Sequence, residues 1–146
     1  MSVPVSNEPE RAADTAGPGS AAPDLRISEV PARADRLHRV RRALTVWTAQ
    51  TGMAEEQAID LVFVVDEAMT NVVRHAYPKV PGVFDVQARY KSEPRQVTVT
   101  VTDYGCWRPP ETGRRARGLA LLAALTTAVV VTRTSRGTTV HMIWTL

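Results

Sequence analysis

The stretch that most constrains the fold of this chain is residues 60–77, which read DLVFVVDEAMTNVVRHAY. Apolar side chains recur there at steps of three and four residues: Val62, Val65, Met69, Val72 and Val73. This spacing predicts an amphipathic helix with one buried face. The buried face needs a partner layer, so we take this helix as the element around which the rest of the chain is organised.

Polar residues follow the same rhythm on another side of the predicted helix: Glu67, Asn71, Arg74 and His75. Residues four apart on a helix project side by side, with about 5–6 Å between their Cβ atoms. The Asn71 carbonyl oxygen is a good ligand for Mg²⁺. The Glu67 carboxylate is a base that could hold a water molecule or take a hydroxyl proton. Because E-x-x-x-N is a short pattern, an ordinary solvated helix face stays open as the alternative.

The composition is that of a soluble globular domain with a real core. The 146 residues fit one domain, and 44% are hydrophobic while 23% are charged. The net charge of +3 comes mainly from arginines in residues 33–42 and 114–117, and it suits a polyphosphate or an acidic protein patch. The chain has neither a basic stripe interleaved with aromatic residues nor zinc-ligand spacing, so we expect no direct nucleic-acid partner.

Cysteine usage and hydropathy indicate a cytoplasmic protein. Cys106 is the single cysteine, so no internal disulfide can form, which fits a reducing compartment. The first residues lack the basic-then-apolar pattern of a signal peptide. The longest apolar run, residues 119–131, is too short to span a bilayer, so we expect no membrane partner.

The order of elements predicts an α+β two-layer sandwich. Residues 1–23 are rich in Pro, Ala, Ser, Gly and Glu without periodicity, which predicts a disordered leader. Period-two and period-three-to-four patterns then predict a strand at 25–30, helices at 32–50 and 54–77, a hairpin of strands at 84–90 and 97–101, a helix at 118–127, and strands at 128–133 and 138–146. We therefore expect a mixed, largely antiparallel sheet of about five strands with about three helices on one face.

Asp103 and Gly105 form the first of three further polar features. An aspartate at a strand end can point its carboxylate into a pocket, where it accepts a hydrogen bond from an exocyclic amino group such as that of adenine. Gly105 allows the backbone to turn and a flat ligand to approach closely. A plain D-x-G turn is the alternative.

The second feature is a basic loop that carries glycines, residues 113–119, which reads GRRARGL. Such a loop before a helix N-terminus favours phosphate through exposed N–H groups and the helix dipole. Its arginines, Arg117 among them, can add charge at a transferring phosphoryl group. It lacks the Lys and Ser/Thr of a Walker loop, and an exposed basic loop is the alternative. The third feature, Gly137 followed by Thr138, opens the last predicted strand and could be a simple turn.

In order, these features run E-x-x-x-N-x-x-x-H-A-Y, D-x-G-x-W, G-x-x-x-x-G-L and G-T-T-V. This order resembles the ATP-binding, Bergerat-type fold shared by gyrase-type topoisomerases, a heat-shock chaperone, sensor histidine kinases and mismatch-repair ATPases. It resembles most the small branch of anti-sigma-factor serine/threonine kinases. The resemblance implies a histidine kinase-like ATPase domain over residues 24–146, after the leader of residues 1–23.

The resemblance also implies a role for each matching residue. Glu67 would be the general base, and Asn71 would bind Mg²⁺. Asp103 would read the adenine amino group, with Gly105 making room for the base. The remaining cofactor-binding residues implied on the adenine and phosphate sides are Thr138, beside Asp103, and Arg74, Gly113, Arg117, Gly118 and Leu119, around the phosphates.

The implied function is that of a regulator that binds ATP and Mg²⁺. It would phosphorylate a small STAS-type anti-anti-sigma protein and hold a sigma factor inactive, and it would act as a homodimer. The loop between Trp107 and Gly118 is short and carries only two glycines, so a non-catalytic module of the same fold is the main alternative. A detached catalytic domain that acts on histidine is a third reading. We expect Trp107 to be a packing residue.

Overall fold

The computed structural model describes residues 22–107 and 120–146. These residues form five strands and two long helices. They are β1 (Leu25–Pro31), α1 (Leu37–Thr48), α2 (Glu55–His75), β2 (Val83–Ser92), β3 (Arg95–Asp103), β4 (Ala128–Thr134) and β5 (Gly137–Thr145). A short 3-10 helix, Ala34–Arg36, precedes α1, and residues 120–124 are also helical.

The helix predicted from residues 54–77 is α2. Its buried stripe contains Leu61, Val64, Val65, Ala68, Met69 and Val72. Val62 and Val73 were assigned to the buried face from their spacing, but they lie at its margins and are only partly buried. Acidic residues in the first turn and basic residues in the last complement the helix dipole. The helix ends at His75, so Tyr77 lies beyond it.

The helix predicted from residues 32–50 is shorter than expected. Its α-helical part is α1, and the turn before it is the 3-10 helix Ala34–Arg36. The residues that set the predicted periodicity are all buried: Leu37, Val40, Leu44 and Trp47. The indole N–H of Trp47 donates a hydrogen bond to the Pro23 carbonyl at 2.6 Å, which fixes the start of the described chain against α1.

The sheet has the strand order β1-β2-β3-β5-β4. All its pairings between described strands are antiparallel. Residues alternate between buried and half-exposed along β2, β3 and β5, as period-two patterning predicts. One sheet face therefore packs under the helices and the other is open, which confirms the predicted α+β two-layer fold.

Two features of this fold position the candidate site. Asp103 is the last residue of β3, and it pairs with Phe84 on one side and Thr138 on the other. Just after it, the Cys106 N–H donates a hydrogen bond to the Ala76 carbonyl at 2.9 Å. The end of α2 and the loop after β3 are thereby joined. Within the residues described here, no helix is long and apolar enough to cross a membrane.

Candidate functional site

Asp103 is the centre of the candidate site. Its side chain is buried, with 2% of the residue exposed. One carboxylate oxygen, Oδ1, accepts hydrogen bonds from the backbone N–H groups of Gly105 (3.1 Å) and Thr138 (3.3 Å). The other, Oδ2, accepts one from the indole N–H of Trp107 at 2.9 Å. Burial raises the pKa of Asp103 above its ordinary value, and these three hydrogen bonds oppose that rise.

Thr138 lies beside Asp103 because β5 starts where β3 ends. The two residues are direct partners in the antiparallel register, and Thr138 is 4% exposed. The preceding Gly137 has φ of +142°, and a Cβ there would lie 1.9 Å from the Asp103 carbonyl oxygen. The strand start therefore packs directly on the backbone of Asp103. Residues 35 apart in the chain are brought together as the sequence order suggested.

Gly105 packs against the end of α2. A Cβ at this position would lie 2.0 Å from the carbonyl oxygen of Ala76 and 2.6 Å from its carbonyl carbon. No side chain fits in that space, so the close approach of loop and helix requires glycine. The sequence suggested that this glycine makes room for a base. The contact with Ala76 is a structural requirement that the sequence alone did not reveal, and the role toward a base stays a prediction.

Asn71 contributes the α2 side of the site. It lines a narrow cleft of about 20 Å³ together with Ala68, Trp107, Leu122, Val131, Arg133, Thr138 and Val140. Asp103 lies directly behind this cleft, bonded to two of the lining residues. The predicted adenine side and the predicted metal side therefore meet at one place in the fold.

Glu67 and Arg74 lie on α2 but do not line this cleft. Glu67 is half-buried one helical turn before Asn71, and Arg74 is exposed. The ion pairs between described residues do not include Glu67, so no arginine or lysine in that part of the chain neutralises its carboxylate. The predicted phosphate-side residues Gly113, Arg117, Gly118 and Leu119 lie outside the described residues.

Trp107 and Arg133 are site residues whose roles were not predicted. Trp107 was expected to be a packing residue, and it is also the hydrogen-bond donor to Asp103. Its ring lies 5.6 Å from the ring of His75, and the Arg133 guanidinium lies 5.6 Å from the indole centroid. The D-x-G-x-W spacing was the available signal for Trp107. Arg133 had none, because only strand pairing brings β4 beside the cleft.

A larger groove lies elsewhere, between α1 and α2. It has a volume of about 620 Å³ and an apolar floor that includes Met53, Ile59, Val62 and Phe63. The Arg41–Asp66 ion pair, with its nitrogen and oxygen 2.7 Å apart, also lines this groove. None of the predicted site residues that the structure describes lines this groove, so cavity size alone would not identify the candidate site.

The side chains at the cleft fit a magnesium ion bound through a nucleotide. The described residues contain no group of three or more His, Cys, Asp or Glu that could hold a metal by itself. Mg²⁺ in nucleotide sites usually keeps several waters and takes one or two protein oxygens plus phosphates. One amide oxygen from Asn71 at the cleft matches that requirement, whereas a full cage of protein ligands would not be expected.

The fold is that of an ATPase domain of the histidine kinase type. Residues 30–144 match the family described as the histidine kinase-like ATPase domain. The chain belongs to this family, and therefore to a class of ATPase domains, which implies ATP binding. It is 33% identical over 117 residues to the anti-sigma F factor of Pasteuria penetrans, covering 70% of this chain and 78% of that protein.

Solved structures place the chain in the same branch. A Mycobacterium tuberculosis protein with RsbU and RsbW domains superposes with a TM-score of 0.70 and 27% identity, covering 85% of this chain and 32% of that chain. This chain thus spans about a third of the mycobacterial protein. A blue-light activated histidine kinase of Erythrobacter litoralis shares the fold, with a TM-score of 0.56 and 24% identity over 77% of this chain and 41% of that one. The family match, the Pasteuria relative and the mycobacterial structure together place the chain in the anti-sigma kinase-like branch.

Proposed function

We propose that this protein is a Mg·ATP-dependent serine/threonine kinase of the anti-sigma-factor type. The observation that carries the proposal is the buried Asp103 carboxylate, which lies behind a cleft lined by Asn71 and Thr138. A buried carboxylate acceptor suits the amino group of adenine, and an amide oxygen suits a metal ion bound to phosphates. Membership of an ATPase family supports the same assignment.

In this proposal Asp103 accepts a hydrogen bond from the adenine amino group, and Thr138 holds the wall beside it. Asn71 orients the phosphate end, where bound Mg²⁺ would neutralise charge on the phosphates. Glu67, one turn away on α2 and without a basic ion-pair partner among the described residues, would accept the proton of a serine or threonine hydroxyl. That oxygen would bond to the γ-phosphorus of ATP as the bond to the departing ADP breaks. Arg74, Arg117 and the glycines of residues 113–119 would complete the phosphate side.

The proposed partners are a sigma factor and a small STAS-type anti-anti-sigma protein, which carries the acceptor hydroxyl. The name of the Pasteuria relative, an anti-sigma F factor, supports a sigma-directed role. The RsbW domain of the mycobacterial match supports the same branch. The proposal also includes a cytoplasmic site of action, where these partners would be met, and a homodimeric state. Both stay predictions.

A non-catalytic module is the second candidate, and one observation favours it. The Asp103 carboxylate already accepts three protein hydrogen bonds, and the cleft in front of it is narrow. A domain of this fold that acts through protein contacts alone would look the same. The two candidates differ in whether ATP binds and whether phosphate is transferred.

The first experiment is a calorimetric titration of the protein with ATP, with and without Mg²⁺. Saturable binding that strengthens with Mg²⁺ supports the proposal. Loss of the carboxylate in Asp103→Asn should weaken ATP binding roughly 10- to 100-fold, because a hydrogen bond to a charged group contributes about 1.5–3 kcal/mol. No binding to the wild-type protein at millimolar ATP would reject the kinase function in favour of the non-catalytic module.

The second experiment separates catalysis from binding. Glu67→Gln should lower phosphate transfer to an anti-anti-sigma protein by about 10²- to 10⁴-fold, the usual contribution of a general base, while the Kd for ATP changes less than about twofold. Glu56→Gln is the matched control, because Glu56 is an exposed residue in the first turn of the same helix. Equal transfer rates for the two variants would remove Glu67 from the mechanism.

A further inference from the structure

The Trp107 indole occupies the one oxygen of Asp103 that backbone groups leave available. Oδ1 receives the N–H groups of Gly105 and Thr138, and Oδ2 receives the Trp107 indole N–H at 2.9 Å. A purine that is to be read by Asp103 has to approach from the cleft. The indole stands on that side, because Trp107 is itself a lining residue of the cleft.

The cleft, which the indole helps to line, has no room for a base as it stands. Its volume of about 20 Å³ is enough for about one water molecule. Pockets that bury small-molecule ligands are usually about 300–1,000 Å³. The ring is also held from two elements: His75, the last residue of α2, lies 5.6 Å from it, and Arg133 of β4 places its guanidinium 5.6 Å from the indole centroid.

We propose that Trp107 is a built-in competitor for the base and lowers the affinity of the site for nucleotides. This inference rests on the nucleotide site proposed above. Binding of ATP exchanges one donor on Asp103 for another: the indole N–H leaves Oδ2 and the 6-amino group of adenine replaces it. The resting protein thus keeps its buried carboxylate hydrogen-bonded, which avoids the cost of leaving that group without a partner.

Selectivity follows from the same exchange. A purine with a 6-amino group replaces the lost hydrogen bond when the indole leaves. A purine with a 6-oxo group places an oxygen against the carboxylate instead, so the exchange removes a hydrogen bond and adds repulsion. The contact with Asp103 therefore discriminates between the two purines, whereas the cost of displacing the indole is the same for both and lowers the affinity for each.

Trp107→Phe tests the proposal, because phenylalanine keeps an aromatic ring near His75 and Arg133 and removes the N–H. Calorimetry would measure the Kd for ATP and for inosine 5′-triphosphate with Mg²⁺ present. We expect ATP to bind about tenfold more tightly to the variant, since Oδ2 is already free. The Kd for inosine triphosphate should fall by about the same factor, because the displacement of the indole N–H that the variant removes is common to both nucleotides. The ratio of the two Kd values should therefore be unchanged. Trp47→Phe is the control, since Trp47 bonds to Pro23 away from the cleft, and both Kd values should be unchanged.

Fluorescence of the unaltered protein gives an independent readout. If the indole leaves Asp103, saturating ATP should shift the tryptophan emission to longer wavelength as Trp107 becomes more exposed. The shift should be absent in Trp107→Phe and present in Trp47→Phe. This measurement does not depend on the affinity of any variant.

Each outcome decides the inference. Tighter ATP binding by Trp107→Phe together with the emission shift supports it. If the wild-type protein binds ATP but Trp107→Phe binds it equally or more weakly, or if ATP binds without an emission shift, the inference fails and the proposed function stands. If neither the wild-type protein nor the variant binds ATP, both fail.

Discussion

Gly105 shows how a single residue can connect two elements. The position of its absent Cβ is 2.0 Å from the Ala76 carbonyl oxygen, a backbone atom that cannot move without shifting the end of α2. The neighbouring Cys106 N–H donates to that same carbonyl. The geometry of the loop after β3 is therefore fixed relative to α2 by one small residue.

Gly105→Ala should destabilise the fold by about 3 kcal/mol or more, at the upper end of what overpacking usually costs. Gly52→Ala is the control: Gly52 has φ of +72°, and a Cβ there meets only the flexible end of Arg95 at 3.2 Å. We expect it to cost about 1–2 kcal/mol for the left-handed backbone alone. Urea denaturation measures both variants, and equal losses would contradict the packing argument.

Asp103 makes the stability of the folded protein depend on pH in a direction that its raised pKa determines. Burial raises the pKa of Asp103 in the folded state above its unfolded value, so folding favours the protonated carboxyl group. Its contribution to stability is fully present below the unfolded pKa of about 3.9 and is lost as the pH rises through the folded pKa. Ionisation at neutral pH thus costs stability, which the three hydrogen bonds only partly offset.

Asp103→Asn should therefore gain stability relative to the wild-type protein as the pH rises from about 4 to about 7. Loss of the Trp107 hydrogen bond adds an offset that does not change with pH, so the informative quantity is the slope. Urea denaturation of both proteins across this range gives the difference in free energy of unfolding. A constant difference, or one that moves against the variant with rising pH, would contradict the assignment.

At the scale of elements, α2 is held in place mainly by its apolar stripe. Leu61 is 0% exposed in the core, whereas Ile59, two residues earlier, is 62% exposed. The Arg41–Asp66 ion pair that also joins α1 to α2 is solvent-accessible, and such pairs usually contribute less than about 1 kcal/mol. Burial of side chains, rather than charge pairing, decides where the candidate site residues of α2 lie.

Leu61→Ala should lower the free energy of unfolding by about 2–5 kcal/mol, as expected for a large-to-small change in a packed core. Ile59→Ala on the same helix should change it by less than about 0.5 kcal/mol. Urea denaturation, fitted with one common m-value, measures the free energy of unfolding of both variants. A comparable loss for Ile59→Ala would mean that its exposed side chain is covered in solution.

Tyr77 joins the end of α2 to the strand ends at the site. Its hydroxyl donates to the Val83 carbonyl and accepts the Tyr104 backbone N–H at 2.9 Å. Tyr104 follows Asp103 directly, so this hydroxyl holds the chain next to the buried carboxylate. A tyrosine hydroxyl is protonated at neutral pH and can serve both partners, and burial raises the pKa of Tyr77 further.

Tyr77→Phe should lower the free energy of unfolding by about 1–2 kcal/mol, because the Val83 carbonyl and the Tyr104 N–H both lose their hydrogen-bond partner. Tyr90→Phe, at a half-buried position in β2, is the matched control and should cost less than about 0.5 kcal/mol. Thermal and urea unfolding would compare the two. If both variants lose the same stability, the hydroxyl bridge contributes nothing beyond ring packing.

At the scale of the whole molecule, the two-layer fold brings distant parts of the chain to one cleft. Asn71 comes from a helix, Asp103 from the end of a central strand and Thr138 from the start of its neighbour. The described chain begins to pack at Ala22, which is buried, and at Pro23, which accepts the Trp47 indole N–H. The predicted domain start at residue 24 stays a prediction.

A fragment of residues 22–146 tests that boundary. We expect it to unfold with the same free energy as the full chain and to bind ATP with the same Kd, because the contacts described for the core and the cleft lie within it. Side-by-side denaturation and calorimetry measure both quantities. A loss of stability in the fragment would place residues 1–21 within the folded unit.

Consecutive residues determined much of this protein by themselves. The three-and-four spacing of α2 and the alternation of β2, β3 and β5 follow from side-chain periodicity, so helices, hairpin and the two-layer fold were predictable. The order of the short motifs also indicated the family and the cleft residues Asn71 and Thr138. These properties depend only on which faces of an element are apolar and on which residue types follow one another.

Only the tertiary structure decided which atoms meet. The D-x-G-x-W spacing singled out Trp107 but not its hydrogen bond to one oxygen of Asp103. That Arg133 lies over the indole and that Gly105 abuts Ala76 could not be predicted from local patterns. These contacts join residues from different elements, and their geometry depends on how the whole core packs the helices on the sheet. Periodicity specifies which face a side chain occupies, whereas the close packing of separate elements specifies its partner.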